Sequence, residues 1–382
     1  MVDLTGMTEG QKRQEKIFHL MDNLRKEAEQ GRYELDLPLD EALDVVVASK
    51  TRSLREVLLV AAVGKLLDEG YKPSKVFYDK RSLSFYRKPR GVYPSIKVKL
   101  RQFGVPYTQD APLNIAKGAP RLTAGWAAGR RDRAAAEALL NLLKQVDSTD
   151  EAGLRILAVA LHAKLLNEAV RVAELTVEAK PEADPGTLHA LCVRLITEAA
   201  DGGNTPQRIV GCALMALDEE LGAVVEVLGA EDRSSSTNTG GQKPGDIHEQ
   251  LPDGSIAHVY EVSVKAFDED RVAASFDSLK AYEARSGRQI SEITVICRAQ
   301  DSHPKAADGV ASAGHLGKLE YGDVTYHFVD INDWIMSTLL RMPPTARLEL
   351  YEKLHRYISD PNTNEVVKEA WAGLHSSLFA EG

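Results

Sequence analysis

The residues best suited to chemistry are two acids, a serine and a lysine around a short turn. Asp246 precedes the turn 252–254, and Glu261, Ser263 and Lys265 follow it. Pro-Asp-Gly is typical of a tight turn, and the runs on either side are short and apolar-interrupted. The sequence therefore predicts a hairpin of two strands, with these four polar residues on or beside it.

The second predicted strand covers 258–265, and its side chains alternate between two faces. Because the alternation has a period of two, Glu261, Ser263 and Lys265 would share one face, while the valines between them share the other. The valines suit a buried face. The polar face would then border a cleft that Asp246 enters from the neighbouring strand.

Two carboxylates and a lysine in one cleft predict a hard-cation site with a cationic helper. Mg²⁺ prefers carboxylate oxygens and often binds through only one or two of them, keeping several waters. Such an ion polarises a phosphoryl oxygen and lowers the pKa of a bound water. Asp246 and Glu261 are the candidate metal ligands, and Lys265 could orient that water and offset charge on the phosphate. The pattern predicts phosphodiester hydrolysis with Mg²⁺.

Asp246, a hairpin, and an acid and a lysine on one strand resemble the core of the PD-(D/E)XK nucleases. That family usually carries an acid two positions before the lysine, where this chain has Ser263. Some restriction enzymes of the superfamily also have Ser or Thr there and recruit an acid from elsewhere. The resemblance therefore leaves the second metal ligand open between Glu261 and, on the following segment, Asp277 or Glu283. The alternative is an edge hairpin whose charges only face water.

The chain has 382 residues, enough for two or three domains. We expect an α/β (α+β) fold in which helical N-terminal and middle regions precede a restriction-endonuclease-like core with a mixed sheet flanked by helices. The expected boundaries are 1–135 for a helical and basic region, 136–204 for a helical middle region, and 205–382 for the catalytic domain. In the last of these, the predicted order is helix, hairpin, helix, strand.

The formal net charge is −9, yet one segment is strongly basic. Between Lys72 and Arg133 there are 15 lysines and arginines against three acids, with aromatic residues interleaved. Such clustering is typical of a phosphate-binding surface, although a solvated basic face over a small core is the alternative. The candidate DNA-contacting residues are Arg87, Lys88, Arg90, Lys97, Lys99, Arg101, Asn114, Lys117, Arg130, Arg131 and Arg133.

Three segments are similar to the SacI-type restriction endonucleases, namely 111–117, 126–128 and the stretch that holds 245–247 and 260–265. The resemblance covers most of the chain. It implies a type II enzyme that cuts double-stranded DNA at a short palindrome resembling GAGCTC. It also implies a homodimer, since a twofold site suits a twofold protein, and a cognate DNA methyltransferase in the same system.

Two other functions remain open: a defence or repair nuclease without strict sequence specificity, and a non-catalytic DNA-binding protein on a degenerate nuclease core. The DNA-binding alternative arises because Ser263 stands where the family usually carries an acid. His248 lies two residues past Asp246, where it could contact phosphate, but the sequence favours a surface histidine. No Gly-x-x-x-x-Gly-Lys-Ser/Thr loop is present, so ATP-driven translocation has no support.

No apolar run approaches the length of a membrane span, and the N-terminus lacks the pattern of a signal peptide. Cys192, Cys212 and Cys297 are scattered and fit neither a disulfide framework nor a zinc spacing. These features predict a protein of the reducing cytoplasm that binds no membrane.

Overall fold

The computed structural model describes residues 7–71, 73, 87–108, 115, 122–232, 243–299 and 314–379, with only the backbone for 87–91. The chain divides into two compact units, Met1–Glu174 and Leu175–Gly382. No helix in these ranges is long and apolar enough to cross a lipid bilayer.

The described part of the first unit is helical. Its helices are α1 (Glu9–Glu29), α2 (Leu37–Val47), α3 (Ser53–Leu67), α4 (Arg87–Gln102), α5 (Ala124–Ala128), α6 (Arg133–Ser148) and α7 (Glu151–Glu174). Helix α3 is buried on every side from Ser53 to Gly64, so the other helices pack around it. Even Arg55 and Glu56 are enclosed there, and Arg55 donates to the carbonyl oxygens of Val47 and Pro106.

The second unit is built on one mixed sheet. Its elements are α8 (Pro185–Glu198), α9 (Asn204–Leu221), β1 (Glu226–Leu228), β2 (Ile247–Gln250), β3 (Ile256–Ser263), α10 (Glu269–Ser286), β4 (Glu292–Cys297), β5 (His315–Tyr321), β6 (Val324–Asp330), α11 (Ile331–Arg341), α12 (Pro344–Ser359) and α13 (Glu365–Phe379). The six strands lie in the order β1-β2-β3-β4-β6-β5. Pairing is antiparallel from β1 to β3, parallel for β3–β4–β6, and antiparallel again for β6–β5.

Helices cover both faces of this sheet. Val259, Val295 and Phe328 pack with Val272 and Leu279 of α10 on one face. The other face packs in a separate core with the remaining helices of the unit, through Ile247, Val262, Val264 and Ile296. The expected mixed sheet flanked by helices is therefore present, and so is the hairpin of β2 and β3 around the turn 252–254.

Two expectations about boundaries need correction. The expected middle region 136–204 is divided, because α6 and α7 pack against α1, α2 and α3, whereas α8 packs against α11 and α13. The second hairpin strand ends at Ser263 instead of reaching Lys265, because the chain bends there. All three cysteines are buried and free.

Candidate active site

The hairpin brings Asp246 and Glu261 together. Ile247 pairs with Tyr260 in the antiparallel register, so the residue before Ile247 stands beside the residue after Tyr260. Asp246 Oδ2 accepts a hydrogen bond from the Val262 N–H at 3.1 Å, and the two carboxyl groups also hydrogen-bond to each other. The register of one strand pair thus creates the carboxylate pair that the sequence predicted.

Both carboxyl groups hold a proton more tightly than free acids do. Burial raises the pKa of Asp246, and burial followed by the charge of Asp246 raises the pKa of Glu261 well above its usual value. Glu261 is only 4% exposed, whereas Asp246 keeps part of its surface open to solvent. Two adjacent carboxylates cannot both ionise cheaply, because each negative charge raises the cost of ionising the other.

Helix α10 fixes the orientation of the buried member of the pair. Ser275 of α10 donates its hydroxyl to Glu261 Oε1 at 3.0 Å. The hydroxyl of Tyr326, on β6, lies beside Ser275, and burial, followed by the charge of Glu261, raises the pKa of Tyr326. Glu261 is therefore held between the sheet and α10, and its carboxylate has little freedom to turn.

Two glycines, Gly229 and Gly245, allow the backbone around Asp246 to pack closely against its neighbours. Gly229 has φ of +84°, and a Cβ there would lie 2.2 Å from the carbonyl oxygen of Asp246. A Cβ on Gly245 would lie 2.6 Å from a methyl carbon of Val259. Gln207 of α9 donates to the Gly229 carbonyl at 2.9 Å. Only glycine fits at these two positions, which lets the chain before β2 lie tightly against its neighbours.

The strand that carries Glu261 ends before Lys265. Ser263 accepts from the Lys265 N–H at 3.2 Å and donates to the Lys265 carbonyl at 2.7 Å, which closes a bend. Lys265 is exposed beyond this bend. The prediction that Glu261, Ser263 and Lys265 share one strand face is therefore wrong for Lys265, because period-two alternation requires a strand that continues.

Sequence reasoning missed a cation at this site, Arg271 in the first turn of α10. Its Nη1 donates to Ser263 Oγ at 2.5 Å, and its guanidinium lies 4.9 Å from the centre of the Phe267 ring. The charge of Arg271 lowers the pKa of both carboxyl groups, against the larger effect of burial. The only sequence signal was its position, six residues after Lys265 and directly behind an acidic run.

A second cation lies close to Asp246 but is already paired. The charge of Lys243 lowers the pKa of Asp246, again against burial. Its ammonium lies 2.7 Å from a carboxylate oxygen of Asp232, and its side chain is 12% exposed. Although it is paired, Lys243 lowers the pKa of Asp246 more than Arg271 does.

The alternative acids on α10 do not reach Asp246. Asp277 is exposed, since it lies two residues from Ser275 and so on another side of the helix. Glu283 lies about two turns further along α10, where it accepts from the Ile290 N–H at 2.8 Å and pairs with Lys280 at 2.7 Å. Of the three acids, Glu261 is the one that the structure places against Asp246.

His248 is buried rather than at the surface, contrary to the favoured prediction. It pairs with Val259 in the register and is 7% exposed. Burial, followed by the charge of Lys243, lowers its pKa to about 4, so the ring is neutral at pH 7. Its Nδ1 has no hydrogen-bond partner among the described residues.

The donor set suits a hard cation. Across the described ranges, no three or more His, Cys, Asp or Glu side chains form a cluster that could hold a metal ion. Mg²⁺ needs only one or two carboxylates, because it retains waters and takes further ligands from substrate phosphate. Asp246 and Glu261 supply two adjacent carboxylates, and the positive charge of an ion there would favour their ionised forms.

The predicted DNA-contacting residues of the first unit differ in how free they are. Lys99 forms an ion pair with Asp22 at 2.8 Å, and its side chain is only 11% exposed. Lys97 lies 5.3 Å from the centre of the Tyr107 ring. These two lysines are engaged within the unit, whereas Arg101 on the same helix is exposed.

The arginines near α5 show the same division. Arg130 donates to the carbonyl oxygens of Ile115, at 3.1 Å, and Trp126. Arg133 pairs with Glu137 at 2.7 Å, and Arg131 is exposed. For the other predicted contacts, the structure shows the Arg87, Lys88 and Arg90 backbone at the start of α4, while Asn114 and Lys117 lie outside the described residues.

A second polar cluster lies around Glu249 of β2, away from the carboxylate pair. Glu249 is 2.6 Å from His258 Nδ1 and accepts from the Tyr260 hydroxyl at 3.0 Å. Burial, followed by the charge of Glu249, raises the pKa of Asp218 on α9 to about 6. One Asp218 oxygen is buried without a partner among the described residues. An ionised Asp218 is therefore destabilising.

Asp218→Asn should raise stability at neutral pH. Since the folded pKa lies above the usual value, the folded state gains stability from Asp218 below about pH 4 and loses it as pH rises to about 6. After discounting for the exposed part of the side chain, we expect a gain of about 1 kcal/mol at pH 7.5. Urea unfolding at pH 4 and 7.5 measures the difference, with exposed Asp277→Asn as control. An equal gain at both pH values would contradict this explanation.

A scan against protein-family models finds no family that matches the chain, and a search of curated proteins finds no relative. The chemistry of the site must therefore be judged from its own residues.

Proposed function

We propose that this chain is a Mg²⁺-dependent nuclease that hydrolyses phosphodiester bonds in double-stranded DNA. The observation that carries the proposal is the carboxylate pair of Asp246 and Glu261, joined across β2 and β3 and held by a backbone N–H and by Ser275. Two adjacent carboxylates that repel each other when ionised are suited to bind a divalent ion, which relieves that repulsion.

The arrangement of elements also supports the proposal. Helix α9, the antiparallel strands β1 to β3, helix α10 and the parallel strand β4 follow one another along the chain. Asp246 precedes the second strand and Glu261 lies near the end of the third. This is the order of helix, hairpin, helix and strand that the sequence predicts for the catalytic domain.

Each part of the site has a role in this reaction. When bound, Mg²⁺ would polarise the phosphoryl oxygen and lower the pKa of the attacking water. Asp246 and Glu261 would hold the ion, while the Val262 N–H and the Ser275 hydroxyl keep their oxygens oriented. A cationic side chain must offset charge developing on the phosphate. Lys265, from the sequence, and Arg271, from the structure, are the two candidates.

In finer detail, we propose a type II restriction endonuclease of the SacI type. It would act as a homodimer on a short palindrome, alongside a DNA methyltransferase of the same system. The density of lysine and arginine between residues 72 and 133 supports DNA as the substrate, because phosphate contacts supply most of the affinity of such proteins.

Incubation of the protein with plasmid DNA and Mg²⁺ tests the proposal. Discrete fragments are expected for a restriction endonuclease, and a smear would indicate a nuclease without strict specificity. A mobility shift without cleavage would indicate a non-catalytic DNA-binding protein. Asp246→Asn and addition of a chelator are the controls, and cleavage that survives both would exclude this site.

The exposed arginines of the basic segment should control affinity for DNA. Replacing Arg101 and Arg131 together by glutamine should weaken duplex binding and make the negative slope of log affinity against log salt shallower by about 2, since each phosphate contact contributes about 0.9. Lys99→Gln is the matched control, because Lys99 is paired with Asp22 and should leave the slope unchanged. An unchanged slope in the double variant would show that these arginines contact no phosphate.

A further inference from the structure

Arg271 is held in a fixed position beside the carboxylate pair. Its guanidinium donates to Ser263 Oγ at 2.5 Å and lies over the ring of Phe267. Its backbone N–H is bound by Asp268, the N-cap of α10, so both ends of the residue are anchored. The side chain is still partly exposed. A guanidinium has five N–H donors, so one bond to Ser263 leaves others for a ligand.

The charges at the site are complementary to one phosphodiester when Arg271 is counted. Two ionised carboxylates and one divalent cation sum to zero. Lys243 and its ion-pair partner Asp232 together add no net charge. Arg271 has no carboxylate partner within hydrogen-bonding distance among the described residues, and it brings the sum to +1. A phosphodiester carries one negative charge, and guanidinium groups bind phosphate oxygens with two parallel hydrogen bonds.

Lys265 is placed differently. It lies in the bend after β3, exposed, with its backbone rather than its ammonium bound to Ser263. The hydroxyl of Ser263 uses its one donor on Lys265 and accepts from Arg271, which orients the arginine towards the site. A serine at this position thus has a use that does not involve binding a metal.

We propose that Arg271 is the phosphate-binding group of this site and that Ser263 is a positioning residue which holds its guanidinium. This inference rests on the proposed nuclease function and assigns to Arg271 the contact with the scissile phosphate that the sequence assigned to Lys265. The ligand is a phosphodiester oxygen, and Asp246 and Glu261 would hold the divalent ion.

The test separates binding of the ion, binding of phosphate and cleavage. Mn²⁺ binding is measured by calorimetry, affinity for a short DNA duplex by anisotropy in Ca²⁺, and cleavage in a single turnover with Mg²⁺. The variants are Arg271→Gln, Arg271→Lys and Lys265→Gln. Arg285→Gln is the matched control, because Arg285 is exposed in the last turn of the same helix.

Arg271→Gln should bind Mn²⁺ at least as tightly as the parent protein, because a positive charge near the ion is removed. It should bind the duplex about tenfold more weakly. Arg271→Lys should recover part of that loss, and Arg285→Gln should stay close to the parent in duplex affinity. Lys265→Gln should lose less affinity than Arg271→Gln. Loss of Mn²⁺ binding in Arg271→Gln would show a structural role and overturn the inference, as would unchanged duplex affinity beside a loss in Lys265→Gln.

Failure of the nuclease proposal gives a different pattern. A parent protein that cuts no DNA, but whose Mn²⁺ and duplex binding respond to Arg271 as expected, would remove the nuclease proposal and retain the phosphate site. A parent that cuts, with Arg271→Gln cutting equally well, would remove the phosphate site and retain the nuclease.

Discussion

Asp246→Asn should abolish cleavage, by at least about 1,000-fold, while duplex binding stays within a few-fold of the parent protein. The amide can still accept from the Val262 N–H and donate to Glu261, so the hairpin should remain folded. It cannot supply a second negative charge to hold a divalent ion. The basic segment that carries the candidate phosphate contacts lies in the other unit and is unaffected.

Glu249→Gln is the matched control for this prediction. Glu249 is an acid of the first hairpin strand, three residues after Asp246, but it is bound to His258 and Tyr260 away from the pair. Cleavage should therefore persist in this variant. Single-turnover rates and thermal unfolding of both variants give the comparison. An Asp246→Asn protein that cuts within tenfold of the parent, or that loses duplex binding as fully as cleavage, would contradict the assignment.

Glu261→Gln should also remove cleavage, by at least about 100-fold, whereas Asp277→Asn and Glu283→Gln should retain it. The reason is position: Glu261 is hydrogen-bonded to Asp246 and Ser275, while Asp277 is exposed and Glu283 binds the Ile290 N–H. Mn²⁺ titration should show weaker binding of the ion in Glu261→Gln, and unchanged binding in Asp277→Asn and Glu283→Gln.

Glu283→Gln is expected to lower the stability of the protein, and this effect must be measured separately from the cleavage rate. It removes an ion pair with Lys280, so a small loss of stability is expected without a loss of rate. Full activity in Glu261→Gln, together with loss in either helix variant, would transfer the second ligand to α10 and leave the nuclease proposal intact.

The hairpin and the carboxylate pair could be predicted because they depend on neighbouring residues. The Pro-Asp-Gly turn and the alternation of valines predict two adjacent antiparallel strands. Once those strands pair, the register places the residue before Ile247 beside the residue after Tyr260, with no contribution from distant elements. The mixed sheet and the helices on both faces also follow from the order of local patterns.

The cationic part of the site could not be predicted in this way. Alternation indicates a shared face only while the strand continues, and β3 ends at Ser263, whose hydroxyl bonds the backbone of Lys265 and the guanidinium of Arg271. That second bond depends on where α10 packs, which is a property of the assembled core. The spacing of the residues therefore cannot predict whether Lys265 or Arg271 is the cationic group of the site.

Long-range packing also explains the remaining differences. The basic residues around Lys99 predict that it contacts phosphate. In the fold it pairs instead with Asp22, which lies 77 positions away in the chain. His248 reads as a surface residue, yet it lies buried in the strand pair. Short-range patterns set backbone conformation through hydrogen bonding and side-chain period, so turns, strands and their register follow from them. Which charges meet and which side chains lose their water depends on contacts between elements far apart in the chain, and those exist only once the core has formed.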